Sequence, residues 1–195
     1  MSDLKAPVLL VAMPQVLDPF FHRGVVLLIR HEESEGSFGF LVNRPSDIRV
    51  SEILQGMEVA WRGGEEAVAY FGGPVQRQLG TVLFSPGPEA AGSLTGVGME
   101  VSNGVALTQH VGDLTRLAET PPDHFRLLLG YAGWGDGQLL EEILRNDWLT
   151  VPVARDLVFA PDPERVWEAA LQSVGVDPLA LPSWRPEGGG EETTN

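Results

Sequence analysis

The chain has 195 residues, of which 43% are hydrophobic, 21% charged and 8% aromatic. That is enough apolar material for one ordinary globular core and too much for a disordered chain. There is no cysteine, which excludes disulfides, thiolate metal sites and cysteine nucleophiles. Only 13 basic residues face 27 acidic ones, a net charge of −14, the wrong sign for a domain that holds nucleic acid through its phosphates.

The N-terminal apolar run Val8–Met13 follows a single Lys with an Asp nearby and is too short for a secretory leader. No stretch reaches the ~20 apolar residues of a membrane-spanning helix. The expectation is a cytoplasmic protein without membrane association. Twelve of the 13 basic residues are arginine, with Lys5 the exception. Biased codon usage explains that, and so does an arginine-lined anion site. The acidic excess lies mainly in the C-terminal half.

In chain order, Val25–Arg30 and Phe38–Val42 read as strands joined by a polar turn at Glu32–Ser37. Ser51–Met57 reads as a short helix capped by Ser51. Val68–Phe71 and Thr81–Phe84 are strands around Gly72-Gly73-Pro74. Met99–Val101 and Val105–Thr108 form a hairpin signal across Ser102-Asn103-Gly104. Val111–Glu119 is a helix, Phe125–Leu129 a strand, Gln138–Arg145 a helix capped by Asp136, and Trp148–Val153 a strand. Pro163–Val174 has the clearest helix pattern: Asp162 as cap, Pro163 in the first position, Gly175 as terminator, and an apolar stripe through Val166, Trp167, Ala170, Leu171 and Val174. Strands come first and helices later, without βαβ alternation, which favours α+β over a doubly wound sheet. Residues 1–182 read as one domain and residues 183–195 as a disordered acidic tail.

No phosphate-binding loop, nucleophile elbow or zinc-protease motif is present. The four histidines have no ligand spacing, so neither a metal nor another cofactor is expected, and no residue is assigned a catalytic role. Candidate ligand- or partner-binding residues lie in four places. Asn43 and Arg44 follow a strand that Pro45 stops; an Arg at that turn can clamp a carboxylate or phosphate, as can Arg23, or is an ordinary exposed or internally ion-paired side chain. Gly72 and Gly73 permit close backbone approach, either by a ligand or within a tight turn. Gly130–Gln138 alternates four glycines with Tyr131 and Trp134 before a helix. It suits an anion at the helix start or simply a tight, aromatic-packed turn. Gln138, Glu141, Glu142 and Arg145 share a polar helix face, with Glu141→Arg145 a favourable ion pair. In the Asp18–Arg23 segment, Asp18 before Pro19 starts a turn, and Phe20 and Phe21 read as packing residues.

Taken together, Asp18-Pro19-Phe20-Phe21, Phe38-Gly39-Phe40-Leu41-Val42-Asn43-Arg44-Pro45, Phe71-Gly72-Gly73-Pro74, Leu129-Gly130-Tyr131-Ala132-Gly133-Trp134, Gly137–Ile143 and Asn146-Asp147-Trp148-Leu149 resemble the YqgE/AlgH family of bacterial proteins, in order from about residue 7 to residue 180. The resemblance implies a single α+β domain with a bent, bifurcated, mostly antiparallel sheet forming a pseudo-barrel, flanked by a few helices. It implies a cytosolic protein. The family carries a transcriptional-regulator label without an established activity. This chain departs from it at Gly24, where a hydroxyl residue is usual, and at Leu79–Phe84, where an Arg and a His are missing.

Three functions compete. One is a non-enzymatic regulatory protein acting through a protein partner or a small anionic ligand. Another is direct DNA binding, which the charge opposes unless Arg23, Arg44, Arg49 and Arg77 gather in one patch. The third is an enzyme on a small anionic substrate, with Arg23 and Arg44 as anion ligands and Glu141 or Asp18 as base. The first is the expectation.

Overall fold

Short apolar runs rich in Val, Leu and Phe pair early in the chain and again around its centre. The computed structural model describes residues 4–86, 94–102 and 104–182. In it, ten strands form one sheet: β1 (Val8–Ala12), β2 (Val25–Glu32), β3 (Gly36–Leu41), β4 (Pro45–Arg49), β5 (Val68–Phe71), β6 (Val75–Ser85), β7 (Met99–Ser102), β8 (Val105–Thr108), β9 (His124–Trp134) and β10 (Trp148–Val151). Five helices flank them among the described residues: α1 (Val50–Gly56), α2 (Val111–Glu119), α3 (Gln138–Leu144), α4 (Arg155–Val158) and α5 (Val166–Ser173). The strand order is β10-β1-β2-β3-β9-β6-β8-β7, with β4 on β5. β5 joins β9 in parallel, and the sheet is otherwise antiparallel and curls into a half-barrel. The α+β, bent-sheet expectation is therefore met.

β9 joins the two halves of the sheet. Its first half pairs with β6, from Ser85↔His124 to Gly80↔Leu129, and with β5 at Tyr70↔Leu128. Its last residues pair with β3 at Phe38↔Gly133 and Ser37↔Trp134. Between them Gly130 takes a φ of +72°, and a Cβ there would lie 2.4 Å from the Gly73 carbonyl oxygen. Only glycine lets the strand turn and keep the β5–β6 connection this close.

β1 and the first half of β2, residues 25–28, are buried on both faces. Leu9, Val11, Val25 and Leu27 pack on one side with Phe40, Trp167 and Leu171 of β3 and α5. Leu10, Val26 and Leu28 pack on the other with Leu41, Trp134 and Trp148. A third cluster gathers Leu54 of α1, Leu117 of α2, Phe84 and Leu127.

Several expectations change. Val8–Met13 read only as an apolar run, yet most of it is β1; a strand covered on both faces has no alternation to announce it. Gly130–Trp134 read as loop but lies inside β9. β3 ends ahead of Pro45 as expected, but Pro45 then begins β4, on the sheet's margin where a missing N–H is tolerated. The α1 N-cap is Arg49, without a side-chain hydrogen bond, and Ser51 lies inside the helix. The α3 N-cap is Gly137 at φ 67°, so Asp136 does not cap it. Asp162 does accept from Glu164 N as expected, but its first turn is a 3₁₀ turn, Pro163–Arg165, ahead of α5. Asn103 and residues 183–195 lie outside the described residues.

Candidate functional site

The alternation of β3 and the partner switch of β9 open a cleft of about 480 Å³ on the sheet. Phe38 and Phe40 come from β3, Tyr131 and Gly133 from β9, and Val75 and Leu79 from β6. The Phe38 ring meets Phe40 and Tyr131 edge-on, both with centroids 6.2 Å away. Arg30, Ser37 and Gln109 sit at the rim, each already engaged. Arg30 pairs with Glu35 and, at 3.8 Å, with Glu32. Ser37 Oγ and His31 Nδ1 are hydrogen-bonded at 2.7 Å. Gln109 Nε2 donates to Thr81 Oγ1 at 2.8 Å.

A second cleft, about 380 Å³, lies across Gly133 and Trp134 from the first. Its centre is Glu142. One carboxylate oxygen accepts from the indole nitrogens of Trp134 and Trp148, each at 2.8 Å, and the other accepts from Gln138 Nε2 at 2.8 Å. The two indoles meet edge-on at 5.8 Å. A buried indole N–H needs an acceptor, and Glu142 serves both.

At the far end of β3 the side chains are of another kind. Asn43 is 4% exposed; its Oδ1 accepts from Val25 N and its Nδ2 donates to the Arg23 carbonyl. The half-buried Arg44 guanidinium donates to the carbonyls of His22 and Asn43. Arg126 of β9 is 5% exposed; it donates to the carbonyls of Val42 and Ala160 and lies 4.3 Å over the Tyr70 ring. Arg23 lies 4.9 Å over Trp167. Burial pushes the Arg44 and Arg126 pKa values down, and the Tyr70 hydroxyl partly offsets this for Arg126.

The residues singled out in the sequence thus divide. Tyr131 and Trp134 line the first cleft, and Trp134 and Gln138 the second. Arg23, Asn43 and Arg44 stand together at the end of β3. The segment that approaches Gly72 and Gly73 is the chain's own β9: Cβ atoms there would lie 2.4 Å from the Gly130 oxygen and 2.1 Å from the Tyr131 carbonyl carbon. Glu141 is solvent-exposed on α3. The expected Glu141–Arg145 pair is replaced by Arg145–Asp147 at 2.9 Å, because α3 ends at Leu144 and Arg145 leaves helical geometry. Arg49 pairs with Glu66 at 3.7 Å, and Arg77 lies 5.3 Å over both Phe20 and Phe71. Glu142 was legible only as one member of a polar face. Arg126, Ser37 and Gln109 went unmarked, although an arginine inside the apolar run His124–Leu129 is itself a signal.

No helix among the described residues is long and apolar enough to cross a membrane. The AlgH-like family pattern matches residues 9–179. A UPF0301 protein of Ruegeria pomeroyi is 41% identical over 176 residues, covering 89% of this chain and 93% of the relative. One from Shewanella loihica is 38% identical, covering 90% and 94%. The solution structure of the AlgH protein from Pseudomonas aeruginosa superposes with a TM-score of 0.70 at 31% identity, over 91% of this chain and 94% of that one. The crystal structure of a Corynebacterium diphtheriae protein shares the fold, with a TM-score of 0.71 at 24% identity over 88% and 89%. The sheet that switches partners at Gly130, with its two clefts meeting at Trp134, is therefore carried by a chain that belongs to the AlgH-like family.

Proposed function

We propose that this is a non-enzymatic regulatory protein that works by binding a small, uncharged, largely aromatic molecule in the cleft between β3, β6 and β9. One observation carries this: the cleft walls are aromatic and aliphatic, while Arg30, Ser37 and Gln109 at its rim are already held by protein partners. Groups so engaged keep a shape. The volume falls within the ~300–1,000 Å³ of small-molecule sites, which are mostly apolar with few polar groups. Of the charged residues that line the cleft, Arg30 is matched by Glu35, so the cleft favours a neutral guest. The walls come from both halves of the sheet, with β9 paired to both. A guest seated there ties the halves together, which gives binding a route to a partner surface. Direct DNA binding is disfavoured by the net charge of −14.

A thermal-shift panel of indole, phenols and nucleosides tests this on wild type and on Gly133→Val, which narrows the cleft. A guest at ~100 times its dissociation constant adds about 2.7 kcal/mol, which is roughly a 5–10 °C rise for a domain of this size. The rise is expected in wild type and lost in Gly133→Val. Silence across the panel, or equal shifts in both proteins, refutes the reading.

A further inference from the structure

The three arginines at the end of β3 are tied to consecutive residues. Arg126 donates to the Val42 carbonyl and Arg44 to the Asn43 carbonyl, while the Asn43 amide holds the Arg23 carbonyl. Arg44 also donates to His22, next to Arg23 in the chain. Exposure is graded: Arg23 is exposed, Arg44 half-buried and Arg126 buried. Among the described residues, no carboxylate lies within the 4.0 Å of an ion pair from any of the three.

That is a costly arrangement. A buried cation without a counter-charge is unfavourable unless its charge is otherwise compensated. Backbone carbonyls supply part of the compensation, but a carbonyl is a dipole and leaves the net charge in place. Acid was available, since the chain has 27 carboxylates for 13 basic residues. Arg30, Arg49, Arg145 and Arg155 each have one. The carbonyls also fix the guanidinium planes of Arg44 and Arg126, and an arginine held in place loses less freedom when it grips an anion.

We propose that Arg23 and Arg44, backed by the buried charge of Arg126, bind a small, multiply charged oxyanion at the end of β3. The ligand is of the phosphate-ester or polycarboxylate class. Arg44 and Arg23 contact it with charge-assisted hydrogen bonds, and Arg126 supplies field from behind. The site is distinct from the aromatic cleft, which opens toward the other end of β3. A small anion senses these guanidiniums within the ~8–10 Å Debye length, whereas a nucleic-acid duplex also meets the negative field of the whole chain.

The test is isothermal titration at ~150 mM salt with pyrophosphate, citrate, sodium chloride of matched ionic strength and a short DNA duplex. Wild type, Arg44→Gln, Arg23→Gln and Gly133→Val are compared. Pyrophosphate or citrate is expected to bind wild type and Gly133→Val alike. Arg44→Gln should bind about tenfold more weakly or worse, the loss expected from one charge-assisted hydrogen bond. Arg23→Gln should show a smaller loss, because that arginine is exposed. Preference between pyrophosphate and citrate separates the two ligand classes. The proposal is overturned if neither anion binds wild type, if the arginine variants bind as well as wild type, or if the duplex binds more tightly than both anions. Loss of anion binding in Gly133→Val alone would place the anion in the cleft and also overturn it. The neutral-guest panel stands or falls separately.

Discussion

At Gly36–Phe40, β3 turns aromatic rings into a cleft whose rim cation, Arg30, is matched by Glu32 and Glu35. At Val42–Arg44, the chain leaving the same strand gathers three arginines held by carbonyls and rings, without a carboxylate partner among the described residues. Residues a few positions apart thus follow opposite rules for charge. At the cleft end the charges are exposed and paired, so they contribute little. At the arginine end they are progressively buried and unpaired, so each has large consequences. A net charge of −14 describes the molecule seen from afar and neither of these places.

The largest effect follows from removing the most buried member of that contrast. Arg126→Ala leaves the carbonyls of Val42 and Ala160 without donors and a void against Tyr70. It should cost about 3 kcal/mol in urea unfolding, from lost hydrogen bonds and lost packing together. Arg126→Met keeps much of the stem that packs on the ring and should cost about half as much. Equal loss in both variants would mean that the guanidinium, rather than the packing of its stem, carries the effect.

Asn43→Ala and Ser37→Ala compare the two ends directly. Asn43 satisfies Val25 N and the Arg23 carbonyl from a position 4% exposed. Its loss orphans a buried donor and should cost about 2 kcal/mol. The Ser37 hydroxyl is hydrogen-bonded to the part-buried His31, so its loss should cost under about 1 kcal/mol. A ranking reversed in denaturant titration would place the rigid end of β3 at the cleft.

Much of this frame was legible in the sequence, for identifiable reasons. Val25–Arg30, Val105–Thr108, Val111–Glu119 and the helix after Asp162 announce themselves through local pattern: β-branched runs, a 3.6-residue stripe, a cap and a terminating glycine. The failures share one cause, which is that long-range contact overrides local signal. β1 shows no alternation because α5 covers one face and the Trp134–Trp148 layer the other. Gly130–Trp134 looks like a loop because its glycines serve the close passage of the β5–β6 connection, contacts that arise only on folding. The site follows the same logic. Arg44 and Tyr131 stand in recognisable motifs. Arg126 and Glu142 matter for what they face: Val42, 84 residues away, and an indole on either side in sequence.

Gly133→Val acts on the cleft end alone. Gly133 is exposed in β9, and a Cβ there comes 3.3 Å from the edge of the Tyr131 ring, which can yield slightly. A β-branched residue in a strand loses less freedom than glycine on folding, so stability should rise by about 0.5 kcal/mol. Guests of the cleft should meanwhile be lost. A variant that is more stable and no longer binds, read by thermal melting with and without guest, separates the cleft's role from its contribution to the fold.

The smallest effect on stability sharpens the contrast most. Glu35 and Arg30 have side chains 66% and 52% exposed, and a pair so exposed contributes at most about 0.5 kcal/mol. Glu35→Ala should therefore melt within about 1–2 °C of wild type. Its effect on selectivity should be larger. With Glu35 gone, Arg30 retains only Glu32 at 3.8 Å, and the rim acquires a guanidinium free to turn toward a guest. Aromatic carboxylates such as benzoate or indole acetate should then bind the cleft several-fold more tightly than they bind wild type, while neutral indole is unchanged. The gain should fade as salt is raised, because the new attraction lies at an exposed rim where counterions screen it. Pyrophosphate binding at the other end of β3 should not respond to this change. If it does, the two ends share one electrostatic field, and the separation between a neutral cleft and a cationic strand end is wrong.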